Sequence, residues 1–206
     1  MRFTRTFLVA ALLAGLVPVI AGAQNNPAIT NDLYNNPSSP AFGNSNATVI
    51  IDEFYDYRCS YCKASEAGLE QLLQEDRNVK IIYKDFPKLG PLSQTAAIAT
   101  LASTLQGMDK YIRFHNMLMS KDFPLASEDT LYQAAAAVGL DVDRLKQDMN
   151  NGAITALIQD NIALGRAVGV TVTPTFVVNG HVYAGYADYN QLKKYVDYAR
   201  ATGGRR

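Results

Sequence analysis

Two cysteines, Cys59 and Cys62, are all that this chain of 206 residues contains. That scarcity excludes a disulfide-stapled scaffold, whose small core depends on several bridges. A bridge between residues three apart closes almost no loop and removes little freedom from the unfolded chain. Such a pair is suited to making and breaking a bond rather than to holding a fold. Histidine is as scarce. His115 and His181 are the only two, without the H-x₃₋₅-H spacing that a Cys₂His₂ zinc site uses. His115 stands among Phe114, Met117 and Met119 on a helical pattern and reads as a packed or surface histidine rather than a ligand. No metal site is assigned, although two thiolates alone could take a soft ion such as Cu(I). Charge of one sign is missing too. The 19 basic and 19 acidic residues balance, leaving no basic surplus for nucleic acid or an anionic membrane surface.

A long apolar run occurs only at the N-terminus. Arg2 and Arg5 precede an almost wholly apolar stretch from Phe7 to Ile20, followed by Ala21-Gly22-Ala23. The run falls short of the ~20 residues a spanning helix needs, and it contains Gly15 and Pro18. The pattern predicts a secretory signal peptide over residues 1–23, cleaved after Ala23. Export places the two cysteines in an oxidising compartment, where thiols meet disulfides continually. A chain of this length buries roughly 70% of its unfolded surface and needs no staple. Length favours one domain with an elaboration.

Residues 24–46 are rich in Asn, Pro and Ser and predict an irregular leader. Val49 to Tyr55 reads as a strand, Cys59 to about Asp76 as a helix with Leu69, Leu72 and Leu73 at helical spacing, and Val79 to Tyr83 as a second strand. Strand, helix and strand over so short a span form a right-handed βαβ unit with parallel strands. Five helices follow between Pro87 and Val168: Ser93–Gln106, Asp109–Met119, Glu128–Val138, Asp141–Asn150 and Ile154–Ala167. Thr175–Val178 and His181–Ala184 flank Asn179-Gly180, a two-residue hairpin signal. Asp188 and Gln191 open a last helix with a capping-box spacing. No internal repeat is visible.

The two cysteines therefore fall at the N-terminus of the crossover helix. Cysteine reacts as thiolate, and an ordinary thiol at a pKa of ~8.5 is only a few per cent ionised at neutral pH. Free backbone N–H groups and the positive end of the helix dipole favour a thiolate at Cys59. Cys62, one turn further in, faces back toward it and is less accessible. This assigns Cys59 as attacking sulfur and Cys62 as resolving sulfur. Glu53 stands six residues before Cys59 inside an apolar strand, where burial raises a carboxyl pKa and suits it to proton transfer. Its competing reading is an ion pair with Lys84 on the neighbouring strand. Asp52, on the opposite face, is expected to be solvated.

With these residues in place, the whole chain beyond the signal peptide resembles the DsbA-like family of exported thiol–disulfide oxidoreductases. "DEFYDYRCSYCK" is similar to the family's strand–CxxC–helix signature, and "TVTPTFVVNG" to its cis-proline strand. The resemblance implies an α/β thioredoxin-like fold built from residues 47–86 and 168–206, with an inserted helical domain at 87–167. It implies that Thr173 and Pro174 lie beside Cys59 and present backbone to an extended substrate, and that Glu53 exchanges protons with Cys62. It implies no cofactor. The partners would be exported proteins with thiols or disulfides and a DsbB-like or DsbD-like membrane redox partner, in the periplasm. One departure stands out. Ser60-Tyr61 lacks the histidine of strongly oxidising members, and Thr173 is similar to the residue of isomerase-type members. The direction of exchange, oxidation against isomerisation or reduction, stays open. So do a copper-binding role for the CxxC and an inert CxxC in an exported interaction protein.

Overall fold

Parity along two strands organises the molecule. In the computed structural model, which describes residues 27–203, β2 (Val49–Tyr55) runs parallel to β3 (Val79–Asp85), with Glu53 opposite Tyr83 and Tyr55 opposite Asp85. The helix α2 (Ser60–Glu75) crosses between them. Strand side chains alternate between faces, so Ile51, Glu53, Tyr55, Ile81, Tyr83 and Asp85 share one face. Ile50, Asp52, Phe54, Ile82 and Lys84 share the other. A core cluster covers each face. One contains Leu69 and Leu72 of α2 with Phe114 and Leu118. The other contains Leu33, Tyr34, Leu164 and Val168. The expected signal peptide at residues 1–23 lies outside the described residues.

Helices α3 (Pro91–Ser103, continued by a 3₁₀ turn at Thr104–Gln106), α4 (Met108–Met119), α5 (Glu128–Ala137), α6 (Val142–Asp148) and α7 (Gly152–Ala167) all fall between β3 and β4. The antiparallel hairpin of β4 (Thr175–Val178) and β5 (His181–Ala184) then pairs with β2, and α8 (Tyr189–Thr202) closes the chain. Asn179 and Gly180 take φ values of 44° and 90° at the hairpin turn, as a type I′ turn requires. The Asn179 side chain accepts from Ile50 N at 2.8 Å and donates to Thr48 O at 3.0 Å, pinning the hairpin to the start of β2. Gly68 lets α2 meet the start of α8. A Cβ there would stand 2.7 Å from Tyr189 N.

The leader is not irregular. It contains α1 (Pro27–Tyr34) and a short edge strand, β1 (Ala41–Gly43), antiparallel to β3, giving the sheet order β1-β3-β2-β4-β5. Tertiary contacts override its composition. Leu33 and Tyr34 are buried against the second face, and Lys84 Nζ donates to Asp32 O at 2.7 Å and Ser39 Oγ at 3.1 Å. Asp52 is not solvated either. It is fully buried, with Lys84 Nζ 3.9 Å away, because α1 and α7 cover the face on which it lies. Burial pushes the Asp52 carboxyl well up against the opposing pull of Lys84. Parity also removes the proposed Glu53–Lys84 pair, since the two side chains emerge on opposite faces of the sheet.

Lys84 thus ties the leader to the sheet from below. Lys84→Ala should lose about 3 kcal/mol in urea unfolding, the scale for removing a charged donor's buried hydrogen bonds, here to Asp32 O and Ser39 Oγ. Hydrogen exchange should rise first in the leader. Unchanged protection of the β1 amides would remove this role.

Candidate active site

The turn after β2 is built by a buried carboxylate. Asp56 accepts from Arg58 N at 2.8 Å, Lys88 N at 2.7 Å and Leu89 N at 2.9 Å. Arg58 Nη1 donates to Leu89 O at 2.7 Å, and Lys88 Nζ reaches Thr171 O. One acid therefore holds together the turn before the cysteines and the loop after β3, and Lys88 extends the tie to the loop before β4. Asp56 was not legible as a site residue. An Asp after a strand reads as ordinary turn chemistry, and its long-range partners appear only in the fold.

Cys59 is the N-cap of α2, and its sulfur accepts from Cys62 N at 3.4 Å. A side-chain oxygen normally fills this position. Here a sulfur receives the helix's unpaired N–H groups instead. Cys59 is 7% exposed and Cys62 is fully buried, and both are free thiols. A hydrogen bond from the Cys62 side chain is the largest influence on Cys59. Partial burial opposes it, and the Thr173 side chain and the N–H groups of Cys62 and Tyr61 reinforce it. Together they lower the Cys59 thiol from 9.0 to about 6. Cys62 goes the other way: burial, the bond to Cys59 and the nearby Glu53 and Cys59 charges push it far above the ordinary thiol range. One sulfur is an anion at neutral pH and the other holds its proton.

Two further expected residues meet this pair. The Cys59 thiol lies 3.2 Å from Thr173 O, and the Thr173–Pro174 peptide is cis. Gly185 N donates to Pro174 O at 2.8 Å and Thr175 Oγ1 to Val172 O at 2.7 Å, fixing the loop from both sides. Glu53 is fully buried on the α2 face of β2, and neither of its oxygens has a hydrogen-bond partner. Burial raises its pKa well above the carboxylate range, with the Glu66 and Cys59 charges adding to the effect. Glu66, four residues after Cys62 on α2, is a second buried acid on this side of the sheet, and no local sequence pattern marks it. It accepts from Tyr83 OH at 2.9 Å. Around the cysteines, Tyr61, Leu89, Val172 and Tyr186 are exposed large apolar side chains, Tyr61 at 64%. Among the described residues no three His, Cys, Asp or Glu side chains converge as a metal site would require.

A family model described as thioredoxin matches residues 35–198. The chain is similar to a thioredoxin-like oxidoreductase from Silicibacter pomeroyi of known structure, with 38% identity and a TM-score of 0.79 over 83% of this chain and 97% of that one. It is also similar to the thiol-disulfide exchange protein alpha-DsbA2 from Wolbachia pipientis, with 29% identity and a TM-score of 0.75 over 83% of this chain and 91% of that one. Disulfide bond formation protein D of Bacillus subtilis is 24% identical over 168 residues, covering 77% of this chain and 75% of the relative. The chain spans only 22% and 24% of the length of the Na(+)/H(+) antiporters of Salinispora tropica and Salinispora arenicola that it matches at 28% identity.

The two sulfurs should titrate apart. In the reduced protein, thiolate absorbance and alkylation at Cys59 should rise with a midpoint near pH 6, with Cys62 unlabelled. Cys62→Ala, which removes the strongest donor, should raise that midpoint. The lowered folded value adds stability to the reduced form that is complete above the ordinary value of 9.0 and is lost as pH falls through about 6. Equal labelling of both cysteines would contradict this assignment.

Proposed function

This chain belongs to the thioredoxin family in its DsbA-like form, and on that ground we propose that it is a periplasmic thiol–disulfide oxidoreductase acting on cysteines of exported proteins. The observation that carries the reading is the division between an ionised Cys59 at the helix cap and a buried, protonated Cys62. In the disulfide form, a client thiolate attacks Cys59 Sγ. A client–Cys59 bond forms, the Cys59–Cys62 bond breaks, and Cys62 leaves, taking a proton from the Glu53 side. A second client thiolate then attacks the client sulfur, and Cys59 departs as a thiolate. Run backward, Cys59 attacks a client disulfide and Cys62, giving its proton toward Glu53, resolves the intermediate. Thr173 and Pro174 serve as the substrate-binding edge, with the apolar rim of Tyr61, Leu89 and Val172 receiving an extended client segment. The same face would serve a DsbB-like or DsbD-like redox partner in the membrane.

A low thiolate pKa makes Cys59 a good leaving group and favours disulfide donation. Its value of about 6 lies nearer to thioredoxin's, ~7, than to the ~3.5 of the strongest oxidants. That supports isomerisation or reduction as the second reading, in keeping with Ser60-Tyr61 and Thr173.

Disulfide exchange with a cysteine-containing peptide tests the roles. Cys59→Ser should abolish it, and Cys62→Ser should trap mixed disulfides. Glu53→Gln should leave attack by Cys59 nearly intact and slow the resolving step ~100-fold, the scale of lost general acid–base help, at neutral pH and below. At higher pH the defect should shrink as hydroxide takes the proton. Because the folded Glu53 retains a proton that the unfolded chain has released, stability falls as pH rises from the ordinary carboxyl range toward the raised folded value. Gln abolishes that loss. A resolving step unchanged at every pH would remove Glu53 from the reaction.

A further inference from the structure

The face of the sheet that carries Glu53 also carries a line of buried polar groups that no step so far uses. Tyr55 OH lies 2.9 Å from Asp85 Oδ1 and 2.9 Å from Tyr57 OH. Tyr57 OH lies 2.9 Å from His115 Nδ1, and His115 Nε2 lies 3.7 Å from Glu66 Oε1. All five side chains are at most 7% exposed. Their placement follows from the fold: parity puts Tyr55 and Asp85 on the α2 face, Glu66 sits one turn after Cys62, and α4 delivers His115. The other groups facing His115 are the rings of Phe42, Tyr83 and Tyr111 and, more distantly, the exposed carboxyl of Glu70.

Hydrogen counting makes this line directional. A phenol has one hydrogen, so Tyr55 cannot donate to Asp85 and Tyr57 at once. When Tyr55 donates to an ionised Asp85, Tyr57 donates to Tyr55, and His115 Nδ1–H points at Tyr57. Nε2 is then free to accept from the Glu66 side. When Asp85 holds a proton and donates to Tyr55, every hydrogen reverses, and Nε2–H points at Glu66. The line thus has two arrangements that differ by one proton moved between its ends. At the Glu66 end, Glu66 Oε2, both Glu53 oxygens and His115 Nε2 are buried without hydrogen-bond partners, and the Glu66 charge raises Glu53, so these groups can take up a proton passed among them. At the other end Asp85 Oδ2 is likewise unpaired, and burial raises Asp85 to about 7, where it exchanges protons at neutral pH. Burial keeps both phenols neutral, so each retains the hydrogen it must pass on.

We propose that Glu66, His115, Tyr57, Tyr55 and Asp85 form a proton relay that serves the resolving cysteine through Glu53. The inference rests on the thiol–disulfide exchange reading above. When Cys62 attacks Cys59 Sγ in the mixed disulfide, the Cys59–Cys62 bond forms, the client–Cys59 bond breaks, and the client leaves as a thiolate. The Cys62 proton passes to one Glu53 oxygen as the proton on the other moves to Glu66. Glu66 protonates His115 Nε2, Nδ1–H passes to Tyr57, Tyr57 to Tyr55, and Tyr55 to the Asp85 carboxylate. No electron leaves the sulfurs, and the proton count balances. Disulfide donation runs the relay in reverse.

Tyr57→Phe and Tyr55→Phe each remove one hydroxyl and keep the ring. Single-turnover resolution of a preformed mixed disulfide should slow at least ~10-fold in each near neutral pH, where the Asp85 carboxylate is present to accept. The defect should shrink at lower pH as Asp85 gains its own proton, and vanish at high pH. Attack by Cys59 should stay within about twofold of the parent. The double variant should be no slower than either single one, because both break the same line. Equal resolution in parent and variants, a loss that is the same at every pH, or losses that multiply would each overturn the relay. If one variant does not fold, the other decides. A parent that exchanges disulfides while its variants match it defeats the relay alone. A parent that forms no mixed disulfide defeats the exchange reading, and the relay with it.

Discussion

A helix whose first unpaired N–H groups point at a sulfur is the constraint on which the rest of this molecule depends. An α-helix leaves its first N–H groups without partners, and here Cys59 accepts one of them at 3.4 Å. The thiolate gains more from that position than the thiol does, so the reduced pair is stabilised in its ionised form. Holding the cap there requires β2 to end at Tyr55, Asp56 to fold the next turn, and the Thr173–Pro174 loop to come within 3.2 Å. Gly68 then allows α8 to lie against α2.

Stabilising one charge creates a second problem beneath it. Cys62 and Glu53 are buried where ionisation is costly, and the negative charge at Cys59 raises both. A buried carboxyl without a partner is destabilising, and the sheet holds a second one, Asp52, on its other face. The two are handled differently. Asp52 lies near Lys84, which also anchors the leader. Glu53 has no cation and sits instead with Glu66 at the end of a line of hydroxyls and an imidazole. The first arrangement suits architecture and the second suits moving a proton.

Much of this was legible in the residues. The run Val49–Tyr55 and the Asn179-Gly180 turn carry strong local signals, and both strands of the hairpin lie where those signals put them. The CxxC at a helix start and Glu53 six residues before it were visible as candidates, and the structure places Cys59 at the cap of α2 and buries Glu53 on the α2 face of β2. What was not legible depends on distant chain segments. α1 and β1 form because Leu33, Tyr34 and Lys84 meet across the sheet. Neither the burial of Asp52 nor the three backbone partners of Asp56 leaves a mark on local composition. The Glu53–Lys84 pairing failed on parity. Aligned β2 and β3 would have revealed that, because residues on opposite faces of a sheet cannot pair through it.

The reduction potential measured across pH distinguishes a reduced pair with one thiolate and one thiol from one with two thiols. A two-electron couple shifts by ~30 mV per pH unit for each proton taken up. With one thiolate, the slope should be ~59 mV per unit below about pH 6, where both sulfurs are protonated on reduction. Above that break the slope should halve to ~30 mV per unit, because only Cys62 then takes a proton. A slope that stays at ~59 mV per unit through pH 9 would mean that Cys59 is an ordinary thiol and that the helix cap does not ionise it.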